Sequence, residues 1–221
     1  MKGSAILAHV DHTLLKPTAT WEAIHQLCLE SIEAHTASVC IPASYVAPVQ
    51  AAFQSQINIC TVIGFPLGYD SLEAKITAAQ QAVLDGAKEI DMVINLTYVK
   101  NQEWDKVTHE ISALKEAVGE NILKVIIETC YLTQEEKIQL CHCVTQGGAD
   151  FIKTSTGFGT AGATHEDILL FRQHIGPQVR IKAAGGIHTI ADMKQYLEEG
   201  CSRIGASAAY GLLKDQLDTE F

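Results

Sequence analysis

Short, continuous runs of apolar and β-branched residues recur along this chain at intervals of roughly 20–35 residues, the length of one β-α unit. Continuous hydrophobicity, as opposed to alternation, is typical of strands buried on both faces of a parallel sheet. An eighth, weaker run lies near His9–Leu14. The seven clear runs are Ser38–Ile41, Ile59–Gly64, Glu89–Ile94, Leu123–Ile127, Phe151–Thr154, Val179–Lys182 and Arg203–Gly205.

Helical stretches with recognisable ends separate these runs. Hydroxyl residues that favour helix starts stand at Ser71, Thr133 and Thr189, and glycines follow each stretch. Seven or eight β-α units within 221 residues predict an α/β fold, a single (β/α)8 TIM barrel spanning residues 1–221. An open doubly wound sheet is the alternative, because the pattern does not show whether the sheet closes.

Composition disfavours several classes of partner. The chain has 16 Lys and Arg against 26 Asp and Glu, a formal charge of −10, whereas nucleic acid and anionic membranes require a basic face. No apolar stretch reaches the roughly 20 residues of a membrane span, and no signal core precedes Asp11. Seven dispersed cysteines favour free thiols in a reducing cytoplasm.

Charged residues interrupt four predicted strands near their carboxyl ends, where barrel enzymes carry their chemistry. These are Asp91, Lys124, Lys153 and Lys182. One interpretation is a structural ion-pair network, since buried charges must be paired. The other is a reactive amine: two ammonium groups on neighbouring strands would lower the pKa of one, and Asp91 would hold the second lysine charged in a proton relay. A lysine activated in this way forms Schiff bases.

Glycines follow the last two predicted strands. Gly185 and Gly186 follow the run Val179–Lys182, and Gly205 with Ser207 lies at the end of the last run, Arg203–Gly205. In a barrel these two loops form the recurrent phosphate site, because backbone N–H groups and a helix N-terminus face the anion. Ordinary turn glycines are the alternative for either pair alone.

Two further motifs carry less weight. Gly157–Gly162 fits G-x-G-x-x-G, which would indicate a nicotinamide-dependent oxidoreductase, yet the next strand ends without the acidic residue that such a site needs. Cys141–Cys143 lies within a predicted helix, and no second Cys/His cluster completes a metal site. We therefore expect neither a nicotinamide cofactor nor a metal.

Seven segments together resemble the deoxyribose-phosphate aldolase family, and the resemblance covers nearly the whole chain, from about Asp11 to Ser207. The segments are Asp11–Pro17, Val39–Pro42, Thr61–Gly68, Glu89–Asn95, Lys124–Thr129, Phe151–Gly157 and Lys182–Ile187.

The resemblance implies a class I aldolase that reversibly cleaves 2-deoxy-D-ribose 5-phosphate to D-glyceraldehyde 3-phosphate and acetaldehyde, in the breakdown of deoxyribonucleosides. It implies no cofactor and a homodimer or larger assembly. Lys153 would form the Schiff base, Lys182 would lower the pKa of Lys153, and Asp91 would shuttle protons with Lys182. A barrel that binds phosphosugars but has lost its chemistry is the alternative.

The resemblance also implies the substrate-binding residues. It assigns cavity-lining positions to Asp11, Cys40 and Lys124, with Cys40 a candidate target of aldehydes. Contacts to the phosphorylated substrate are implied for Gly157, Gly185, Gly186, Gly205 and Ser207.

Three positions depart from the family pattern. Phe158 stands where some members have lysine, and His188 stands where many have arginine. The chain ends at Phe221, without the terminal tyrosine of some members. We therefore expect the phosphate contacts and the proton-transfer step to differ in detail from those of such members.

Overall fold

Eight parallel strands form a closed barrel in the computed structural model, which describes residues 1–221. The strands are β1 (Val10–Thr13), β2 (Ser38–Ile41), β3 (Ile59–Ile63), β4 (Glu89–Val93), β5 (Ile122–Ile126), β6 (Phe151–Lys153), β7 (Arg180–Ala184) and β8 (Arg203–Ala206). Each pairs with the next, and β1 also pairs with β8, with Asp11 opposite Gly205. This last pairing confirms the predicted barrel and shows that the open sheet was wrong.

Helices connect the strands and cover the outside of the barrel. They are α1 (Gly3–Leu7), α2 (Trp21–Ala34), α3 (Val46–Phe53), α4 (Leu72–Leu84), α5 (Leu96–Lys100), α6 (Trp104–Val118), α7 (Gln134–Gln146), α8 (His165–His174), α9 (Ile190–Glu198) and α10 (Ala209–Leu213). The side chains of Ser71, Thr133 and Thr189 accept backbone N–H bonds at the starts of α4, α7 and α9. The three predicted helix starts are therefore confirmed. No helix is both long enough and apolar enough to cross a bilayer.

The apolar core lies between the sheet and the helices, because side chains alternate across each strand. Strand β4 illustrates the arrangement, since all five of its residues are buried. Ile90 and Met92 belong to the apolar core, whereas Glu89 and Asp91 contact charged groups of other strands inside the barrel. One strand thus supplies both packing and chemistry.

A second buried ion pair lies outside the barrel interior. Lys75 on α4 places its Nζ 2.6 Å from Oε1 of Glu110 on α6, and both side chains are nearly inaccessible to solvent. The same Nζ donates to the carbonyls of Gly68 and Val93, at 2.6 and 2.8 Å. Lys75 therefore ties the loop after β3 to the end of β4.

Candidate active site

Seven charged side chains fill the barrel interior, and we call them the interior ion cluster. They are Asp11 on β1, Glu89 and Asp91 on β4, Lys124 on β5, Lys153 on β6, Lys182 on β7 and Arg203 on β8. No residue of the cluster is more than 9% exposed. The strand register pairs Asp91 with Lys124 and Lys153 with Lys182, which confirms that the two predicted reactive lysines are neighbours.

Asp91 lies at the centre of the cluster. Its Oδ2 is 2.7 Å from the Nζ of Lys153 and 2.7 Å from the Nζ of Lys182. Its Oδ1 accepts from the Nζ of Lys124 at 2.8 Å and from the Cys60 thiol at 3.2 Å. One carboxylate thus joins three ammonium groups, and a proton moving between Lys153 and Lys182 has a single oxygen to cross.

Glu89 and Arg203 form the floor of the cluster. They lie two residues before Asp91 and Gly205 on β4 and β8, so their side chains point inward one layer deeper. Arg203 donates to Asp11 and, at 2.8 Å, to Glu89. The Nζ of Lys124 is 2.5 Å from Glu89 and 2.8 Å from Asp91, so it links the two layers.

Neighbouring charges keep most of the cluster ionised. Burial raises the pKa of Asp91, but the ammonium groups of Lys124, Lys153 and Lys182 lower it further, to well below its ordinary value. The pKa of Asp11 is lowered in the same way. Burial lowers the pKa of Lys182 and of Lys124, yet the adjacent carboxylates raise both above the ordinary value.

Lys153 is held differently from the other cations. Asp91 is its only carboxylate partner, whereas Lys124, Lys182 and Arg203 each contact two or three carboxylates. The cluster contains four cations and three carboxylates, so one positive charge is uncompensated. Lys153 therefore has the fewest carboxylate partners of the four cations.

A cavity of about 280 Å³ opens at the carboxyl ends of the strands, and Lys153 is the only cluster member that lines it. Five of the predicted substrate-binding residues line the same cavity: Gly157, Gly185, Gly186, Gly205 and Ser207. Asp11, Cys40 and Lys124 do not, since each is fully buried. A substrate-binding role for these three residues therefore stays a prediction.

The loops after β7 and β8 present unpaired backbone donors to the cavity. The N–H groups of Gly185, Gly186 and Ser207 make no hydrogen bond within the protein. Gly185 and Gly186 have φ of +83° and +72°, a left-handed conformation that glycine adopts without strain. Successive N–H groups in such a turn form an anion-binding concavity.

The glycines of the G-x-G-x-x-G sequence have a packing explanation. Residues 154–164 form a loop between β6 and α8, in place of the tight strand-to-helix turn of a dinucleotide fold. A Cβ at Gly162 would lie 2.1 Å from the carbonyl oxygen of Gly185, so only glycine allows the two loops to touch. The N–H of Ala163 bonds to the carbonyls of Ala184 and Gly185, both at 3.1 Å.

Cysteines in two places have the chemistry of metal ligands. Cys40 and Cys60 lie near Asp91, with ligand atoms within 4.8 Å of one another. The ammonium groups of Lys124, Lys153 and Lys182 bond to Asp91 there, so this donor set suits cations of the protein itself better than a metal ion. Cys141 and Cys143 are buried within α7, where burial raises the pKa of Cys141 to about 12.

Sequence reasoning missed three charged residues. Glu89 and Arg203 are the first residues of two predicted strands, and no role of their own was predicted for them. An acidic and a basic residue within buried strands nevertheless indicate an ion pair inside the barrel. Lys16 lines the cavity and forms no ion pair. Its position beside Pro17 in a predicted loop carried no signal of its own.

Comparison with known proteins identifies the family. The family model described as DeoC/LacD family aldolase matches residues 5–214, nearly the whole chain. This chain belongs to the DeoC/LacD aldolase family.

Two curated relatives and one solved structure, all named deoxyribose-phosphate aldolase, are similar to this DeoC/LacD aldolase over nearly its whole length. The chain is 62% identical over 216 residues to a deoxyribose-phosphate aldolase of Clostridium botulinum strain Eklund 17B, covering 98% of each chain. It is 50% identical to one of Clostridioides difficile strain 630, covering 98% of this chain and 99% of the relative. The tetrameric deoxyribose phosphate aldolase of Aeropyrum pernix is similar in structure, with a TM-score of 0.88 at 28% identity over 96% of this chain and 91% of that one.

Proposed function

We propose that residues 1–221 act as one catalytic domain that reversibly cleaves 2-deoxy-D-ribose 5-phosphate to D-glyceraldehyde 3-phosphate and acetaldehyde. One observation carries this proposal: among the buried cations of the cluster, Lys153 alone lines the cavity, and it has a single, shared carboxylate partner. An amine that opens to a cavity and is held by a single carboxylate is placed as the nucleophile that a class I aldolase requires. The names of the curated relatives support the choice of substrate.

The reaction begins at the Nζ of Lys153. The neutral amine attacks the carbonyl carbon of the open-chain sugar, a carbon–nitrogen bond forms, and the carbonyl oxygen leaves as water to give an iminium ion. Lys182 supplies protons to the departing oxygen, and Asp91 returns them, since its Oδ2 lies 2.7 Å from both nitrogens. Proton transfer at such distances contributes about 10²–10⁴-fold.

The iminium nitrogen then accepts the electrons of the carbon–carbon bond. The bond that breaks joins C2 and C3 of the sugar. Loss of the proton from the hydroxyl group on C3 converts C3 into the aldehyde carbon of glyceraldehyde 3-phosphate, and C1 and C2 remain on Lys153 as the enamine. The Lys182–Asp91 pair protonates the enamine carbon, and water hydrolyses the new iminium to release acetaldehyde. Lys153 returns to the free amine, so the cycle needs no external oxidant or reductant.

We assign the phosphate of the substrate to the loops after β7 and β8. The unpaired N–H groups of Gly185, Gly186 and Ser207 are the donors there, and Lys16 adds a positive charge. Phe158 is 52% exposed at the cavity and offers no charge, whereas the exposed side chains of Lys16 and His188 lie at the rim. A local set of donors is needed because the net charge of the chain is −10.

Reductive trapping tests the proposed reaction. The protein is incubated with acetaldehyde and cyanoborohydride, and the adduct is located by peptide mass spectrometry. We expect a two-carbon adduct on Lys153, no such adduct in Lys153→Ala, and loss of turnover in that variant with an unchanged fold. Lys214→Ala, which alters an exposed lysine, is the matched control.

The inert phosphosugar-binding barrel makes a different prediction. A pure binder would form no adduct on Lys153, or would be labelled diffusely on surface lysines, while still binding the sugar phosphate. Either result would overturn the aldolase proposal.

We also propose that the chain forms a homo-oligomer and acts in the cytoplasm. The tetrameric relative of Aeropyrum pernix supports the first statement, and the seven free cysteines support the second. Light scattering after size-exclusion chromatography measures the assembly.

A further inference from the structure

Two residues on the barrel floor have no contact with the cavity, yet they complete the charge balance around the reactive amine. We propose that Arg203 and Glu89 are positioning residues of opposite charge that set the pH at which Lys153 becomes a free amine. This inference rests on the proposed function, because it concerns the same lysine.

Three successive contacts connect the floor to Lys153. Glu89 accepts hydrogen bonds from Arg203 at 2.8 and 3.2 Å and lies 2.5 Å from the Nζ of Lys124. Lys124 in turn bonds to Oδ1 of Asp91, whose Oδ2 holds Lys153. A change of charge on the floor therefore alters how strongly Asp91 stabilises the Lys153 ammonium.

The charge count fixes the direction of each effect. With Arg203 present, four cations face three carboxylates, and the surplus is removed when Lys153 loses its proton. Without Arg203 the numbers are equal, so the ammonium form of Lys153 is favoured. Without the charge of Glu89 the surplus grows to two, so the free amine is favoured.

Burial makes these effects large enough to measure. Arg203 is 9% exposed and Glu89 is 1% exposed, so water screens neither charge well. The apolar ring of Phe151, 5.6 Å from the Arg203 guanidinium, packs beside the pair. At the effective dielectric of a protein interior, removal of one such charge shifts a neighbouring titration by about one pH unit.

The two substitutions replace none of the charged side chains that face Lys153, although Arg203 also contacts Asp11 and Glu89 contacts Lys124. The titratable or charged groups that face Lys153 from the elements packed around it are Asp11 on β1, Cys40 on β2, Cys60 on β3, Asp91 on β4, Lys124 on β5 and Lys182 on β7, with Lys16 and His188 at the cavity rim.

The test measures the rate of cyanoborohydride trapping of acetaldehyde on Lys153 across a pH series. We expect the midpoint to move about one pH unit to higher pH in Arg203→Met and about one unit to lower pH in Glu89→Gln, a tenfold change in free amine at a given pH. Arg203→Lys keeps the charge and restores the wild-type midpoint. Arg180→Met is the matched control, because Arg180 also lies over the Phe151 ring, at 4.1 Å, but is exposed and outside the cluster.

Opposite shifts distinguish this role from a merely structural one. Damage to the fold would lower the trapping rate at every pH without moving the midpoint. If Arg203→Met does not fold, Glu89→Gln and Arg203→Lys carry the test. Midpoints unchanged in all folded variants would overturn the inference while leaving the aldolase intact, whereas absence of trapping in the wild-type protein would overturn the proposed function itself.

Discussion

Substitution of Gly162 by alanine probes the contact between the loops after β6 and β7. The added Cβ would lie 2.1 Å from the carbonyl oxygen of Gly185, 2.3 Å from its carbonyl carbon and 2.9 Å from the nitrogen of Gly186. All three neighbours are backbone atoms, so no side chain can turn away. The loop that carries the proposed phosphate donors must move instead.

The required movement can be estimated from the contact distances. Ordinary contacts begin at 3.4 Å, so Gly185 must retreat by roughly 1 Å or more, and a misplacement of that size costs on the order of 100-fold in catalytic efficiency. The energetic cost of overpacking is about 1–3 kcal/mol, less than the 5–15 kcal/mol that typically holds a domain folded. We therefore expect Gly162→Ala to fold and to lose phosphate recognition.

The assay compares kcat/KM for 2-deoxy-D-ribose 5-phosphate with kcat/KM for 2-deoxy-D-ribose. We expect the ratio to fall at least tenfold in Gly162→Ala, with acetaldehyde trapping on Lys153 unchanged. Gly211→Ala is the matched control: it lies in α10, and a Cβ there meets nothing within 4 Å. An unchanged ratio in a folded Gly162→Ala protein would refute the assignment of the phosphate to this loop.

Three further predictions concern lysines. Lys182→Leu leaves three cations against three carboxylates, so the pH midpoint for trapping on Lys153 should rise, and an unchanged midpoint would contradict the coupling. Lys75→Met leaves the Glu110 carboxylate buried without its partner, which should cost about 3–5 kcal/mol in urea denaturation. Burial already raises the pKa of Glu110, and Lys75 opposes that rise. A pKa raised in the folded state makes stability fall as pH rises, so the loss should grow from the ordinary pKa of a glutamate up to the raised pKa of Glu110 and level off above it. Lys16→Ala should raise KM for the phosphorylated sugar several-fold and leave non-phosphorylated 2-deoxy-D-ribose unaffected; equal effects on both would exclude a phosphate contact.

The architecture was predictable because two local signals agreed. Buried parallel strands leave continuous apolar runs, and the run Ser38–Ile41 coincides with β2 residue for residue. Thr133 caps the helix at its predicted start, and its partner in the capping box, Glu136, lies only three residues further on. Closure of the barrel leaves no such local signal, because β1 and β8 pair although they are nearly 200 positions apart. The contact between Asp11 and Arg203, for example, spans a sequence separation of 192.

The reactive residues of the candidate site were predictable from the sequence, but the depth of each side chain within the barrel was less so. Polar residues within apolar runs marked Asp91, Lys153 and Lys182, whose mutual contacts the structure shows. The sequence does not show how far along the barrel axis a side chain lies. Asp11 and Lys124 were therefore expected at the cavity wall, although both are fully buried.

The interior ion cluster divides unequally along the chain, with a consequence for how the protein folds. All three carboxylates lie on β1 and β4, whereas all four cations lie on β5 to β8. Inside the barrel, the half that emerges first from the ribosome would carry only negative charge and the other half only positive charge, so neither can dehydrate its interior alone. The two halves gain their counter-charges only from each other. We therefore expect them to complete folding together when the last strand docks, and we expect separately expressed halves to attract each other strongly at low salt.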